Sequence, residues 1–158
     1  MIAQHIGNEY IPSFVKQMDN ICQLPVSELK SNTELKIAQV YICSSFTQLI
    51  WRDEQILAIR DDNQSCNYNP DINALFYSAA KINHKLSILA VILTGIGEDG
   101  VLGCQKLSQS GAKCIAENEQ SAVVFGMPRQ AIKVTKVIDA LSLNDIIGRI
   151  QSFGNDHV

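Results

Sequence analysis

The sequence predicts a doubly wound α/β domain: a mostly parallel sheet, helices on both faces, and an antiparallel hairpin at the sheet edge. Three observations carry this. Strand-like and helix-like periodicities alternate through the second half of the chain. The run Ser87–Leu93 (SILAVIL) is apolar and of strand length, the pattern of a strand buried on both faces of a parallel sheet. It leads through a glycine-rich turn, Thr94–Gly100, into a helix. Upstream, the β-type segments Thr47–Trp51 and Gln55–Ile59 flank Arg52-Asp53-Glu54, which reads as a hairpin turn.

In chain order, Met1–Gln4 reads as the tail of a buried strand running into a loop at His5. A helix follows over Glu9–Asn20, with Tyr10, Ile11, Phe14, Val15 and Met18 on one face and Pro12 in its first turn. Leu24–Glu34 is a polar linker, and Gln39–Cys43 the strand before the hairpin. After a polar loop, Asp61–Asn69, the residue Asn69 is placed to cap a helix with Pro70 at its first position. Ile72, Leu75, Phe76, Ala79 and Ala80 form its buried stripe. The helix after Gly100 runs to about Ser110 and stops at Gly111, and Lys113–Ala116 is a short strand. Ser121–Phe125 and Pro128–Ile132 read as short helical pieces around a turn at Gly126–Met127. Ser142 and Asp145 form a capping box for a last helix with Ile146, Ile147, Ile150 and Phe153 turned inward.

Composition narrows the function. A chain of 158 residues with 46% hydrophobic and 18% charged residues suits one globular domain, not a disordered or repetitive chain. The net charge is −3 without a basic block, so nucleic acid and anionic membrane surfaces have no electrostatic footprint here. The five cysteines, Cys22, Cys43, Cys66, Cys104 and Cys114, are widely spaced and lack a CxxC pair. They are expected to be reduced and mostly buried, with no zinc site. The start MIAQHIGNEY is unlike a signal peptide, and no apolar stretch is long enough to span a bilayer. The protein is expected to be soluble and cytoplasmic.

Two strand ends carry candidate chemistry. One is His5; the other is the loop after Ser87–Leu93. That loop matches GxGxxG through Gly95, Gly97 and Gly100, with Glu117 and Glu119 near the ~20-residue distance of a ribose-binding acid. Taken alone, this suggests a dinucleotide site. Glu98 and Asp99 argue against it, because a diphosphate would meet two carboxylates at the helix N-terminus. The helix dipole instead favours an ionised Asp99. Asp99 is then either a plain capping acid or, if it meets His5 across the strand ends, two thirds of a catalytic triad with it. His84 and His157 read as exposed loop and tail residues, and no two histidines have metal-ligand spacing.

These residues resemble one family. VILTGIGEDGVLGCQKLSQSGAKCIAENEQSAVVFGMPRQAI, Val91–Ile132, is similar to the catalytic domain of the chemotaxis protein-glutamate methylesterases (CheB), with their TGMGxDGAxG and IAQxExSxVVFGMP motifs. NPDINALFYSAAK, Asn69–Lys81, resembles their RPSVDxLFxSxA segment, and AQHIGNEYIPSF, Ala3–Phe14, their QHMPxxFTxSF segment. The resemblance runs in order from the first residues to Ile132. It implies Ser-His-Asp hydrolysis of glutamate methyl esters on methyl-accepting chemotaxis receptors, with glutamine deamidation by the same acyl-enzyme route. His5 matches the triad histidine and Asp99 the aspartate. The backbone N–H of Ile96, between Gly95 and Gly97, matches the oxyanion position. No cofactor is expected; histidine and cysteine spacing speak against a metal, and the short apolar runs against membrane insertion.

Three departures from the family stand out. The family's GASTGG-like nucleophile turn has no counterpart here. Ser13, Ser44, Ser45, Ser110 and Ser121 lack the strand–turn–helix context of a nucleophile. YICSSFTQLI, Tyr41–Ile50, stands where the family has YIAPGDxHM. No receiver domain is present in these 158 residues. The expectation is therefore one methylesterase-like catalytic domain over 1–158, short of the first strand that carries the nucleophile, and inactive by itself. A non-catalytic receptor-binding or regulatory fragment is the first alternative, and a dinucleotide-binding α/β protein the second.

Overall fold

The computed structural model describes residues 1–155. In its first half, β1 (Ile2–Ala3) leads through a short 3-10 turn into α1 (Ile11–Ile21). Then come β2 (Val26–Glu28), β3 (Thr33–Glu34), β4 (Val40–Cys43) and the hairpin β5 (Thr47–Arg52) and β6 (Gln55–Arg60). The second half alternates α2 (Ile72–Ile82), β7 (Leu89–Ile92), α3 (Val101–Gln109), β8 (Lys113–Glu117), α4 (Met127–Val134), β9 (Asp139–Leu141) and α5 (Leu143–Asn155). His157 lies outside the described residues.

The strands make three sheets of three strands each. Two are parallel, ordered β1-β4-β2 and β7-β8-β9; the third is antiparallel, ordered β3-β6-β5. The mixed α/β class read from the sequence holds. The hairpin pairs with β3, not with a parallel strand. Its turn closes on two residues, because Asp53 and Glu54 both take left-handed backbone (φ 53° and 61°). That geometry matches the right-handed twist of paired strands. Arg60 ties this sheet to the first parallel one, donating from Nη1 to Ser44 Oγ at 2.9 Å, while Ser44 donates to Glu28 Oε1 at 2.6 Å.

β1 and β7 are end strands of their sheets, so each has one unpaired edge among the described residues. Along β7 burial alternates: Ala90 and Ile92 are buried, Leu89 and Val91 only half-buried. The expected burial on both faces is not reached. Ala3 of β1 packs against the same cluster as Ala90 and Ile92.

Several local expectations change. Leu24–Glu34 holds β2 and β3; strands this short show no periodicity, and β2 is held by pairing with β4 and by buried Val26. Tyr10 belongs to the 3-10 turn and is 61% exposed, so it leaves the buried face. Asp71, not Asn69, caps α2, accepting from Ala74 N at 2.7 Å. Ser121–Phe125 is extended turn, not helix, because it runs beside Thr94 and Gly95 and bonds to them. β9 was not foreseen. In α5 only Ile146 of the proposed inward set is buried; Ile147 and Ile150 are half-exposed, since the helix touches the sheet along one narrow line.

The main cluster joins α2, α3, α4, β7 and β8 through Ile72, Ala79, Ile92, Val101, Leu107, Ala116 and Ala131. α2 and α3 approach closely at Gly103, whose absent Cβ would lie 2.8 Å from Phe76 Cβ and 2.9 Å from the Asn73 backbone. Asn73 Oδ1 uses that closeness to accept from Gly103 N at 2.7 Å. Gly148, inside α5, has nothing within 4 Å of the position a Cβ would take. Two glycine-to-alanine changes are thus expected to have opposite signs in urea unfolding. Gly103→Ala forces the helices apart and costs about 1–3 kcal/mol. Gly148→Ala stabilises by roughly 0.5–1 kcal/mol through helix propensity alone.

Candidate active site

The site forms where the carboxyl ends of β1 and β7 converge. His5 follows β1, and Asp99 ends the loop after β7, 94 residues further on. His5 Nε2 lies 3.0 Å from Asp99 Oδ2. A carboxylate only accepts hydrogen bonds, so Nε2 is the donor and Nδ1 points away from Asp99. The imidazole is 32% exposed while Asp99 is almost fully buried, so one face of the ring stays open to an incoming group. The Tyr68 ring packs on the other side at 5.6 Å between centroids.

Asp99 is held by more than His5. Oδ2 also accepts from Ile72 N at 2.8 Å, and Oδ1 from Asn73 N at 3.0 Å and Gly100 N at 2.8 Å. Ile72 and Asn73 are the first two residues of α2, whose N–H groups have no partner within the helix. The carboxylate therefore serves the positive end of α2, not of the helix that follows it in sequence. Asp71 takes the third amide of that turn. Gly100 (φ 82°) supplies the left-handed step that starts α3, and a Cβ there would strike Ile72 at 2.7 Å.

The loop beside this pair is fixed from below. Thr94 N donates to Glu117 Oε2 at 2.9 Å, and Gly95 N to Val124 O at 3.0 Å. Met127 N donates to Gly95 O at 2.9 Å, and Val124 N to Thr94 Oγ1 at 2.8 Å. Gly126 makes this clamp possible, because a Cβ there would collide with the Gly95 carbonyl. The clamp leaves Ile96 standing out at 85% exposure, and its N–H meets no protein acceptor among the described residues. A rigid loop carrying a free amide is what a developing oxyanion requires. Gly97 (φ 99°) turns the chain on toward Asp99.

Glu117 is 3% exposed with both oxygens engaged, one by Thr94 and the other by Ser121 Oγ at 3.0 Å, so it cannot take a ribose. It is instead the anchor of the loop, a role its sequence spacing did not indicate. Tyr68 was also missed, because it sits in a polar loop without periodicity. His84 is exposed and far from the pair in sequence and fold. The serines named from the sequence lie elsewhere: Ser13 Oγ donates to Tyr10 O, Ser44 to Glu28, Ser110 to Leu107 O and Ser121 to Glu117, while Ser45 is buried and hydrogen-bonds to Asp62. Among the described residues none bonds to His5. All five cysteines are free, and three are buried. Burial pushes the Cys43 thiol up to about 11, which leaves it neutral and a poor nucleophile. Among the described residues no group of three or more His, Cys, Asp or Glu is gathered for a metal. No helix among them is long and apolar enough to cross a membrane.

Fold and site together define an α/β domain that presents a histidine–aspartate pair and a free loop amide at the ends of its parallel strands. The chain belongs to the CheB methylesterase family, whose description fits residues 1–150. It is 33% identical over 156 residues to a protein-glutamate methylesterase/protein-glutamine glutaminase of Methylobacillus flagellatus, covering 97% of this chain and 44% of that protein. A Leptospira interrogans protein of the same description is 32% identical, with 97% and 45% covered. This chain thus spans under half the length of these relatives. The crystal structure of the Thermotoga maritima CheB methylesterase catalytic domain matches with a TM-score of 0.77 and 29% identity, over 87% of this chain and 75% of that one.

Removing the Asp99 carboxylate strands three backbone donors and one imidazole. Asp99→Ala is expected to lower unfolding free energy by about 2–4 kcal/mol, and Asp99→Asn by about half of that because one acceptor oxygen survives. Urea denaturation of the two variants checks the order.

Proposed function

We propose that the chain is the larger part of a protein-glutamate methylesterase domain that removes methyl groups from glutamates of chemotaxis receptors and deamidates receptor glutamines. The His5–Asp99 pair, 3.0 Å apart and beside the free amide of Ile96, carries this reading. Family membership and the names of the relatives support it.

In the proposed mechanism Asp99 fixes the ring so that Nδ1 faces the reacting groups. Nδ1 removes the proton of a serine hydroxyl as its oxygen attacks the glutamyl carbonyl. The oxyanion accepts the N–H of Ile96. The imidazolium returns its proton to the methoxy oxygen, releasing methanol, or to the amide nitrogen of a glutamine, releasing ammonia. Water then attacks the acyl-serine by the same route, giving a free glutamate and restoring the serine.

The serine belongs to a strand–turn–helix segment outside these 158 residues. The unpaired edges of β1 and β7 support this placement. Their carboxyl ends meet at His5 and Asp99, and Leu89 and Val91 are left half-buried on a face that a helix following such a strand would cover. One strand between them would join the two parallel sheets and end beside the His5 ring.

The full gene product is expected to release methanol from methylated receptor. His5→Ala and Asp99→Asn each reduce kcat on the order of 10³–10⁴-fold. Residues 1–158 alone release none. Methanol release by residues 1–158 that a serine-directed inhibitor blocks, or full activity of His5→Ala in the full gene product, would sink the mechanism.

A further inference from the structure

Next to the His5–Asp99 pair lies an open cleft of about 470 Å³, lined by Tyr68, Gly97, Glu98, Phe125, Gly126, Arg129 and Gln130. It is continuous with the site on two sides. The Tyr68 ring packs at a tilt against His5, and Gly97 and Gly126 flank the Ile96 amide. A polypeptide whose glutamyl group reaches His5 would lay its neighbouring residues in this cleft.

Arg129 has no structural explanation. It is exposed, and among the described residues it forms no ion pair or hydrogen bond. It stands in the first turn of α4, where the helix dipole repels a cation. The other unpaired cations near a cleft differ. Lys81 and Lys106 sit in the last turns of α2 and α3, and Lys85 just past the end of α2, where the dipole favours a cation. Glu98 lies just before α3, the favourable end for an acid. Among the described residues, Arg129 alone is an unpaired cation in the first turn of a helix at the edge of the site.

We infer that Arg129 is a specificity-determining residue: its guanidinium pairs with a carboxylate side chain of the polypeptide substrate, beside the glutamyl group held at His5. A guanidinium presents two parallel N–H donors to a carboxylate, so an acidic neighbour is preferred over a neutral one and a basic neighbour is repelled. Phe125 and Tyr68 supply the apolar walls along which the intervening stem lies.

The inference rests on the esterase reading. Its test uses the full gene product and synthetic peptides bearing one glutamyl methyl ester, identical except for one neighbouring residue, Glu, Gln or Lys. Methanol release is measured for each. Wild type is expected to favour the Glu peptide over the Lys peptide about tenfold in kcat/KM, chiefly through KM. Added salt shrinks that ratio. Arg129→Gln brings the three peptides within about twofold of one another, and Arg129→Glu reverses their order. Each enzyme is compared with itself, so partial misfolding scales every rate and leaves the ratio intact. A flat, salt-independent series in wild type overturns the inference, as does an unchanged order in Arg129→Glu. Wild type inert on all the peptides and on methylated receptor overturns the esterase reading instead.

Discussion

Asp99 connects parts of the chain that are far apart in sequence. Its two oxygens accept from Ile72, Asn73, Gly100 and His5, and the side chain is almost fully buried. A buried carboxylate is tolerated only when its lone pairs are satisfied, and here donors from the start of α2, the start of α3 and the end of β1 all converge on it. The same contacts that neutralise its burial cost fix the position of the imidazole. The stability of the helix pair and the geometry of the site are thus one arrangement, and the ring is oriented before any substrate arrives.

Around that centre, small residues allow close approach. Gly100 and Gly103 let α3 lie against α2, so that Asn73 and Asp99 reach across. Gly126 lets the turn after Ser121 press on Gly95, which aims the Ile96 amide outward. Glu117, at the end of β8, ties both loops together from beneath. These hydrogen bonds stiffen the loop, and a stiff donor stabilises developing charge better than one that must reorganise.

Much of this was legible in the sequence. The apolar run before Thr94, the glycine-rich turn and the helix after it were readable because each obeys a local rule. The hairpin at Asp53-Glu54 was equally plain. His5 and Asp99 stood out as single residues at strand ends, and the motif around FGMPR led to the family. The illegible parts depended on partners distant in sequence. β2 and β3 are two or three residues long and exist through pairing with β4 and β6. Ser121–Phe125 reads as a short helical piece in sequence yet is held extended by bonds to Thr94 and Gly95. Ile147 and Ile150 follow the helical period, but α5 meets the sheet on too narrow a line to bury them.

By itself the sequence determined the class of fold, the family and which two side chains to watch, because periodicity, glycine placement and motif order are properties of the chain alone. Only the tertiary structure decided what Asp99 does. Sequence placed it at the head of α3, while the folded chain turns its carboxylate to the head of α2 and to His5. It likewise converted Glu117 from a candidate ribose acid into a buried loop anchor. The reason is the same in both cases. A side chain's hydrogen-bond partners are chosen by which donors packing brings within 3 Å, and that choice is made across the core, not along the chain.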